Sequence, residues 1–443
     1  MTTYPDSVRF LYSLGNEVRT IKLGLDRSRS LLARMGNPER KLRFVHVAGT
    51  NGKGSVSAMV ESGLRLRGAR TGLFTSPHLI EPTERIQIAG RPVTEQQFVR
   101  AFETVHRTAE QMYRRGRLDV HPTYFETVTA MAFVLFRDLQ VETAVLEVGL
   151  GGRLDATNVV TPEVCVITRV DYDHEKYLGN SLESIAGEKA GICKPGVPVV
   201  IAPQRPEVEA VLRNKANEAG APVIRAADWA VRQAETHQDG SRFVAATADG
   251  EMAIECPLAG GHQIENALTA AVVMRELGFG AAEIQRGIRE VRWPGRLERV
   301  WERPEVILDG AHNPGGIRAL AGHIKRFYSS RRVWIVYGSM RDKSLDEIAG
   351  VLSPLASELV LTNVNSHRAL RPAFLRQMFE HANVRLAEDL DDALRIVDRD
   401  AGPDDVVFRS EEHTSELLVM ACRRRQKASP GWNGRRRNSP LPK

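Results

Sequence analysis

Short apolar runs, each closed by glycine or polar residues and followed by a helical pattern, recur along most of this chain. The first run, residues 44–48, ends at Gly49. Beyond it Val56, Met59, Val60 and Leu64 fall on one helical face, and Gly68 stands where that helix should stop. Runs at 144–148, 164–168 and 197–202 read as further buried strands. The rhythm restarts after Trp293-Pro294-Gly295, with runs at 306–309, 333–337, 358–361 and 405–408. Strands that alternate with helices predict an α/β fold with mostly parallel sheets. The Pro-Gly pair predicts a linker, dividing the chain into a larger domain, 1–294, and a smaller one, 295–408. The sequence shows no internal repeat.

Composition fits that reading. Of 443 residues, 42% are hydrophobic and 26% charged, the balance of a globular chain long enough for two or three domains. No run reaches the roughly 18 apolar residues of a membrane helix. Asp6, Arg9, Glu17 and Arg19 occupy the region where a secretion signal needs an apolar core. A cytoplasmic location without membrane contact is expected. Cys165, Cys193, Cys256 and Cys422 are too scattered for a zinc site or a disulfide framework and read as reduced thiols.

The net charge of +6 invites nucleic acid as a partner, but residues 409–443 hold nine Lys or Arg against three acids and carry all of it. The body is neutral, so no nucleic-acid face is expected. RSEEHTSEL, at 409–417, is abruptly polar and resembles a translated sequencing adapter. The Arg, Pro, Gly and Ser that follow cannot bury a core. Residues 409–443 are therefore expected to form a disordered or artefactual basic tail.

Candidate chemistry gathers at strand ends. In HVAGTNGKGS (46–55) a strand, a Gly-rich turn and a helix start in succession, which places backbone N–H groups around phosphate oxygens. Lys53 adds a point charge, and Ser55 a hydroxyl within reach of Mg²⁺. The match to G-x-x-x-x-G-K-[ST] is imperfect: Val47 holds the first glycine position, and Gly54 separates Lys53 from Ser55. TSPHL (75–79) alone reads as a turn. Glu147 ends an apolar strand, where parallel sheets place their ligands, and is a natural Mg²⁺ ligand. Asp173-His174 ends another, although a lone histidine is more often a structural hydrogen-bond partner. Lys189, near the end of a helix read at 182–186, is by itself a solvated surface group; a reactive role needs its pKa lowered from about 10.4. Asn266 in GHQIENAL is equally readable as a helix-cap amide or an adenine contact. Arg296 follows the linker, and DGAHNPG (309–315) faces the expected cleft.

In order, HVAGTNGKGS, TSPHL, TYFE, LEVGLGGRLDATN, DH, EKAGI, WPGRLE and LDGAHNPGG resemble the folylpolyglutamate synthase and dihydrofolate synthase family, relatives of the Mur ligases. Each string is weak alone; the ordered set, covering most of the chain, is specific. The resemblance implies a P-loop ATPase domain followed by a smaller Rossmann-like α/β domain, with the active site between them. It implies that Thr50, Asn51, Gly52, Lys53, Gly54 and Ser55 hold ATP. Ser76, Glu147 and His174 would ligate Mg²⁺, with two metal sites, and Lys189 matches the lysine that becomes carbamylated. Asn266, Arg296 and Asp309 match nucleotide contacts. Gly24, Thr123, Tyr124, Phe125, Glu126, Arg153, Leu154 and Asp155 match the neighbourhood of the pterin, and His312 that of the acyl phosphate and incoming glutamate.

The activity implied is ATP-dependent addition of L-glutamate to a folate, and to dihydropteroate in bifunctional members, through an acyl phosphate and by a monomer. A Gly-Ser-containing loop and a final helix usually follow the family's last strand. Here RSEEHTSEL stands instead, a departure that bears on glutamate binding and on the second domain. Two other readings compete. A Mur-type ligase of cell-wall precursors needs an additional N-terminal domain, for which the residues before 44 are too few. A non-catalytic ATP-binding switch would have no need of Glu147, His174, Lys189 and Asp309 together.

Overall fold

The computed structural model describes residues 2–15, 24–248, 250–341, 345–364 and 369–410. Among these, eight strands form the first sheet: β1 (Arg43–Ala48), β2 (Thr71–Phe74), β3 (Ile86–Ile88), β4 (Arg91–Pro92), β5 (Thr143–Glu147), β6 (Val164–Ile167), β7 (Val199–Ile201) and β8 (Val223–Arg225). Their order is β4-β3-β2-β5-β1-β6-β7-β8. All pairings from β2 to β8 are parallel, and β3 and β4 add an antiparallel edge. Because helices cover both faces, β5 and β6 are wholly buried, which is why they read as continuous apolar runs. β1, β5 and β6 end side by side, so the loops after Ala48, Glu147 and Ile167 emerge together.

The helix Lys53–Leu66 is buried from Gly54 to Leu64 on every side, polar positions included. One side packs on the sheet. The other meets the helices His262–Glu276 and Ala281–Arg289, where Gly63 lies against Met274 and Gly287. Gly68, at φ +100°, follows its end as the sequence suggests.

Three further strands, β9 (Ala230–His237), β10 (Gly240–Thr247) and β11 (Gly250–Cys256), make an antiparallel meander that the sequence reading missed. β9 is almost entirely solvent-facing, and only alternate residues of β11 are buried. Neither therefore shows the unbroken apolar signal of the central strands.

The second sheet contains β12 (Glu298–Glu302), β13 (Glu305–Asp309), β14 (Val333–Tyr337), β15 (Glu358–Thr362), β16 (Val384–Ala387) and β17 (Val406–Ser410), in the order β12-β13-β17-β14-β15-β16. Only β12 is antiparallel. Two expectations are corrected here. The first strand after the linker is β12, not the run at 306–309. The last strand does not stop at Phe408: Arg409 pairs in register with Leu308 and Val336, and Ser410 with Asp309 and Tyr337. Both residues are buried because β17 lies between two strands that continue alongside it. The rest of the expected tail, with Cys422, lies outside the described residues. Cys165, Cys193 and Cys256 are buried free thiols. Among the described residues no helix is long and apolar enough to cross a membrane.

Candidate active site

β1 delivers the chain to a loop that only glycine can form. Gly49 and Gly52 have φ of +143° and +89°. A Cβ would lie 1.9 Å from Thr168 Oγ1 at the first and 2.1 Å from Asn266 Oδ1 at the second. The N–H groups of Thr50 and Asn51 donate to Arg169 O at 2.9 and 3.0 Å, and Thr50 Oγ1 donates to Asp171 O at 3.0 Å. These bonds pin the loop to the segment after β6. The helix Lys53–Leu66 starts at once, with Gly52 as an N-cap that carries no capping side chain. Its first N–H groups are thus available to an anion. Lys53 Nζ folds back to Thr50 O at 3.2 Å.

Across the loop, Glu147 is buried at the end of β5 and accepts a hydrogen bond from Ser76 N at 3.2 Å. Burial pushes its carboxyl pKa up, opposed by the charges of Lys53, Arg296 and Arg85 and by the Ser76 N–H. His174 follows β6 in the left-handed region at φ 52°. Lys189 overturns the surface reading. Its helix extends to Ala190, the side chain is only 4% exposed, and Nζ donates to Gly49 O at 2.8 Å. Burial, helped by the nearby Lys53 charge and opposed by Asp173 and Asp155, lowers the Lys189 pKa to about 7.

The second domain closes the site. Asp309, at the end of β13, accepts from Leu297 N at 3.0 Å and Ala311 N at 2.9 Å. Burial raises its pKa against the pull of Arg296. His312 Nδ1 lies 2.8 Å from Gly310 O, and its Nε2 lies 3.3 Å from Asp173 Oδ2. Arg296 bonds Gly295 O at 2.9 Å, and Asn266 Nδ2 donates to Gln263 Oε1 at 2.9 Å. All these groups line one cavity of about 470 Å³. Its lining also includes the apolar Pro77, Phe125, Leu150, Leu154 and Ala156, together with Gly24, Thr123 and Glu126. Thr123 caps the helix Tyr124–Asp138, and Glu126 completes the capping box while pairing with Arg27 at 3.0 Å. Asp155 is fixed by the N–H groups of Gly149 and Leu150 at 3.0 and 2.9 Å.

Known proteins share this architecture over most of the chain. Residues 47–274 match the Mur ligase middle domain, and residues 295–410 match the Mur ligase, glutamate ligase domain. A Bacillus subtilis dihydrofolate synthase/folylpolyglutamate synthase is 35% identical over 92% of this chain and 96% of its own length. The chain belongs to the folylpolyglutamate synthase/dihydrofolate synthase family. A Mycobacterium tuberculosis folylpolyglutamate synthase solved with ADP and AMPPCP superimposes with a TM-score of 0.84 at 34% identity, over 92% of this chain and 97% of that one. An Escherichia coli relative in complex with DHPP and ADP also gives 0.84, at 30% identity, over 96% and 98% of the two chains.

Two residues that the family resemblance assigned to the pterin neighbourhood do not line the cavity. Tyr124 is buried behind it, stacked on Tyr12 with ring centroids 5.7 Å apart and covered by the Arg85 guanidinium. As the first residue of a helix it points away from its neighbour Phe125, which does face the cavity. Arg153 is drawn outward by Glu188, 2.9 Å away. Conversely, Arg169, Asp171, Arg205, Gln263 and Arg318 line the cavity without having been singled out, and Asp173 lines it too, noted in the sequence only beside His174. Asp171 and Asp173 had a signal, being acids in the short loop that follows a buried strand. The arginines had none, since a lone arginine in a loop or a helical turn reads as solvated.

Proposed function

We propose that this chain uses ATP to activate the carboxylate of a folate-type acceptor and joins it to the α-amine of L-glutamate. Tetrahydrofolates would be extended and dihydropteroate converted to dihydrofolate. The observation that carries this is one cavity joining a phosphate-binding loop, a half-apolar pocket and the Asp309–His312 turn of a second domain. The phosphate loop would take a nucleotide, the apolar walls a flat ring, and the turn would receive the third reactant.

A carboxylate is a poor electrophile, so a phosphoryl group must first be placed on it. That transfer needs chiefly positioning and charge neutralisation. The N–H groups at the start of the helix Lys53–Leu66 and the Lys53 ammonium would hold the phosphates. Asn266, Arg296 and Asp309 would hold the rest of the nucleotide, with Phe125, Leu154, Thr123 and Glu126 around the acceptor ring. Glutamate would enter beside His312, and its amine would displace phosphate from the acyl carbon. The packed second domain would keep water from the acyl phosphate.

Mg²⁺ fits the donor set: the buried Glu147 carboxylate, Ser76 and His174 line the same cavity as the phosphate loop and would hold the ion. No group of three or more His, Cys, Asp or Glu able to hold a metal alone occurs among the described residues, so phosphate oxygens and water would complete the shell, at two sites in the family pattern. The ion would neutralise charge on the transferring group. Lys189, its pKa lowered by burial to about 7 so that a substantial fraction of the amine is uncharged near neutrality, is fit to add CO₂ and lose a proton, giving a carbamate beside that centre. By the same resemblance the enzyme acts as a monomer in the cytoplasm.

Phosphate release with Mg-ATP, dihydropteroate or tetrahydrofolate tests the reading. Release that depends on L-glutamate is expected with at least one acceptor. Folded protein that binds ADP yet releases none with either would leave a nucleotide-binding switch. Gly52→Ala should weaken ADP binding about tenfold in calorimetry, because a Cβ there is strained and strikes Asn266. An unchanged affinity would show that nucleotide does not need this loop conformation.

A further inference from the structure

We infer that Asn313 is a positioning residue that clasps the second domain onto the phosphate loop; its catalytic consequence rests on the ligase reading above. Asn313 is the N-cap of the helix Pro314–Phe327, and its Oδ1 accepts from Gly316 N at 2.9 Å. Its Nδ2 donates to Asn51 Oδ1 at 3.0 Å and to Asp173 Oδ2 at 3.1 Å. One buried carboxamide therefore ends a helix with its oxygen and spends both N–H bonds on two separate loops of the other domain. Aspartate would keep the cap and lose both donors. Serine would keep the cap and fall short of both loops.

Independent geometry shows how closely the helix end is seated. A Cβ at Gly315 would lie 2.4 Å from Asp171 Oδ2 and 2.8 Å from Asn51 Nδ2. Arg318, one turn on, reaches Asp171 Oδ2 at 3.1 Å. The positive end of the helix thus faces two carboxylates, Asp171 and Asp173. Asp173 Oδ2 also lies 3.3 Å from His312 Nε2, so one oxygen locates both the clasp and the imidazole. Asn51 lies between Thr50 and Gly52, which ties the shape of the phosphate loop to the seating of His312.

The test uses the full chain carrying Asn313→Asp or Asn313→Ser. Both variants should lower kcat for glutamate-dependent phosphate release about tenfold or more, the factor expected when a hydrogen bond to a charged group is lost. ADP affinity should stay within about threefold, because the phosphate loop and Asn266 lie in the first domain, while Arg296 and Asp309 are held by Gly295 O and by the N–H groups of Leu297 and Ala311 rather than by Asn313. Domain seating is read separately by energy transfer between dyes at R115C and R395C, two exposed positions, in a C422S background with AMPPCP bound. Each variant should shift the distance distribution to longer values. Unchanged distances with unchanged kcat overturn the proposal. So does a kcat loss that merely follows a matching loss of melting temperature and ADP affinity, the mark of general destabilisation. Should the unsubstituted chain release no glutamate-dependent phosphate, the ligase reading fails, and the distance measurement alone decides the role of Asn313.

Discussion

Lys53→Ala is expected to lower glutamate-dependent phosphate release about 10³-fold, in line with removing a cation that stabilises a phosphoryl-transfer transition state. The ammonium sits over the loop at 3.2 Å from Thr50 O, and its charge is felt by both Glu147 and Lys189. Alanine removes that charge without disturbing the glycines that shape the loop, so the melting temperature should change little. A second consequence separates this role from a structural one. Lys53 helps keep the Lys189 pKa down, so the variant should titrate Lys189 at higher pH. Initial rates of phosphate release across pH measure both effects. Activity within tenfold of the parent would remove Lys53 from the phosphate site.

Lys189→Ala should cost about 10²-fold in the same assay, comparable to loss of an outer group that orients a metal site. Short carboxylic acids should restore part of it by standing in for the carbamate. Full activity without rescue would make Lys189 structural. Stability gives an independent measure. The folded protein holds this amine at about 7 against an ordinary 10.5. Between those values the unfolded chain binds a proton that the folded chain has released, so stability rises with pH through that window. Lys189→Met should flatten that rise in denaturant titrations at pH 7 to 10; an identical slope would mean the amine is not perturbed.

The sequence made the phosphate loop readable because strand, turn and helix are contiguous and each carries its own local rule. Glu147 was readable for a related reason, as a carboxylate ending a wholly apolar run. Lys189 shows the limit: nothing local distinguishes a lysine in a last helical turn from a solvated one, and its burial comes from Gly49, far away in the chain. The clasp at Asn313 is less accessible still, since 262 positions separate it from Asn51. Its N-cap role is written in Asn-Pro, but its two remaining hydrogen bonds exist only once the domains meet. The meander β9–β11 escaped because solvent faces most of it, and Arg409–Ser410 because polar residues rarely fill a central strand.

The position of β17 also bears on how the protein is made. β13 is complete at Asp309, yet its neighbour β17 begins only at Val406 and separates it from β14. At about 5–20 residues per second, synthesis of the intervening stretch takes roughly 5–20 s. Throughout that interval the nascent second domain has two open strand edges that can pair with one another or with a neighbouring chain. The first sheet has a comparable interval, since β5 begins at Thr143 between β1 and β2, but it is complete by Arg225, before the second sheet begins. On the ribosome the nucleotide-binding half therefore has a head start, and ADP present during translation would find a folded partner before the glutamate side exists.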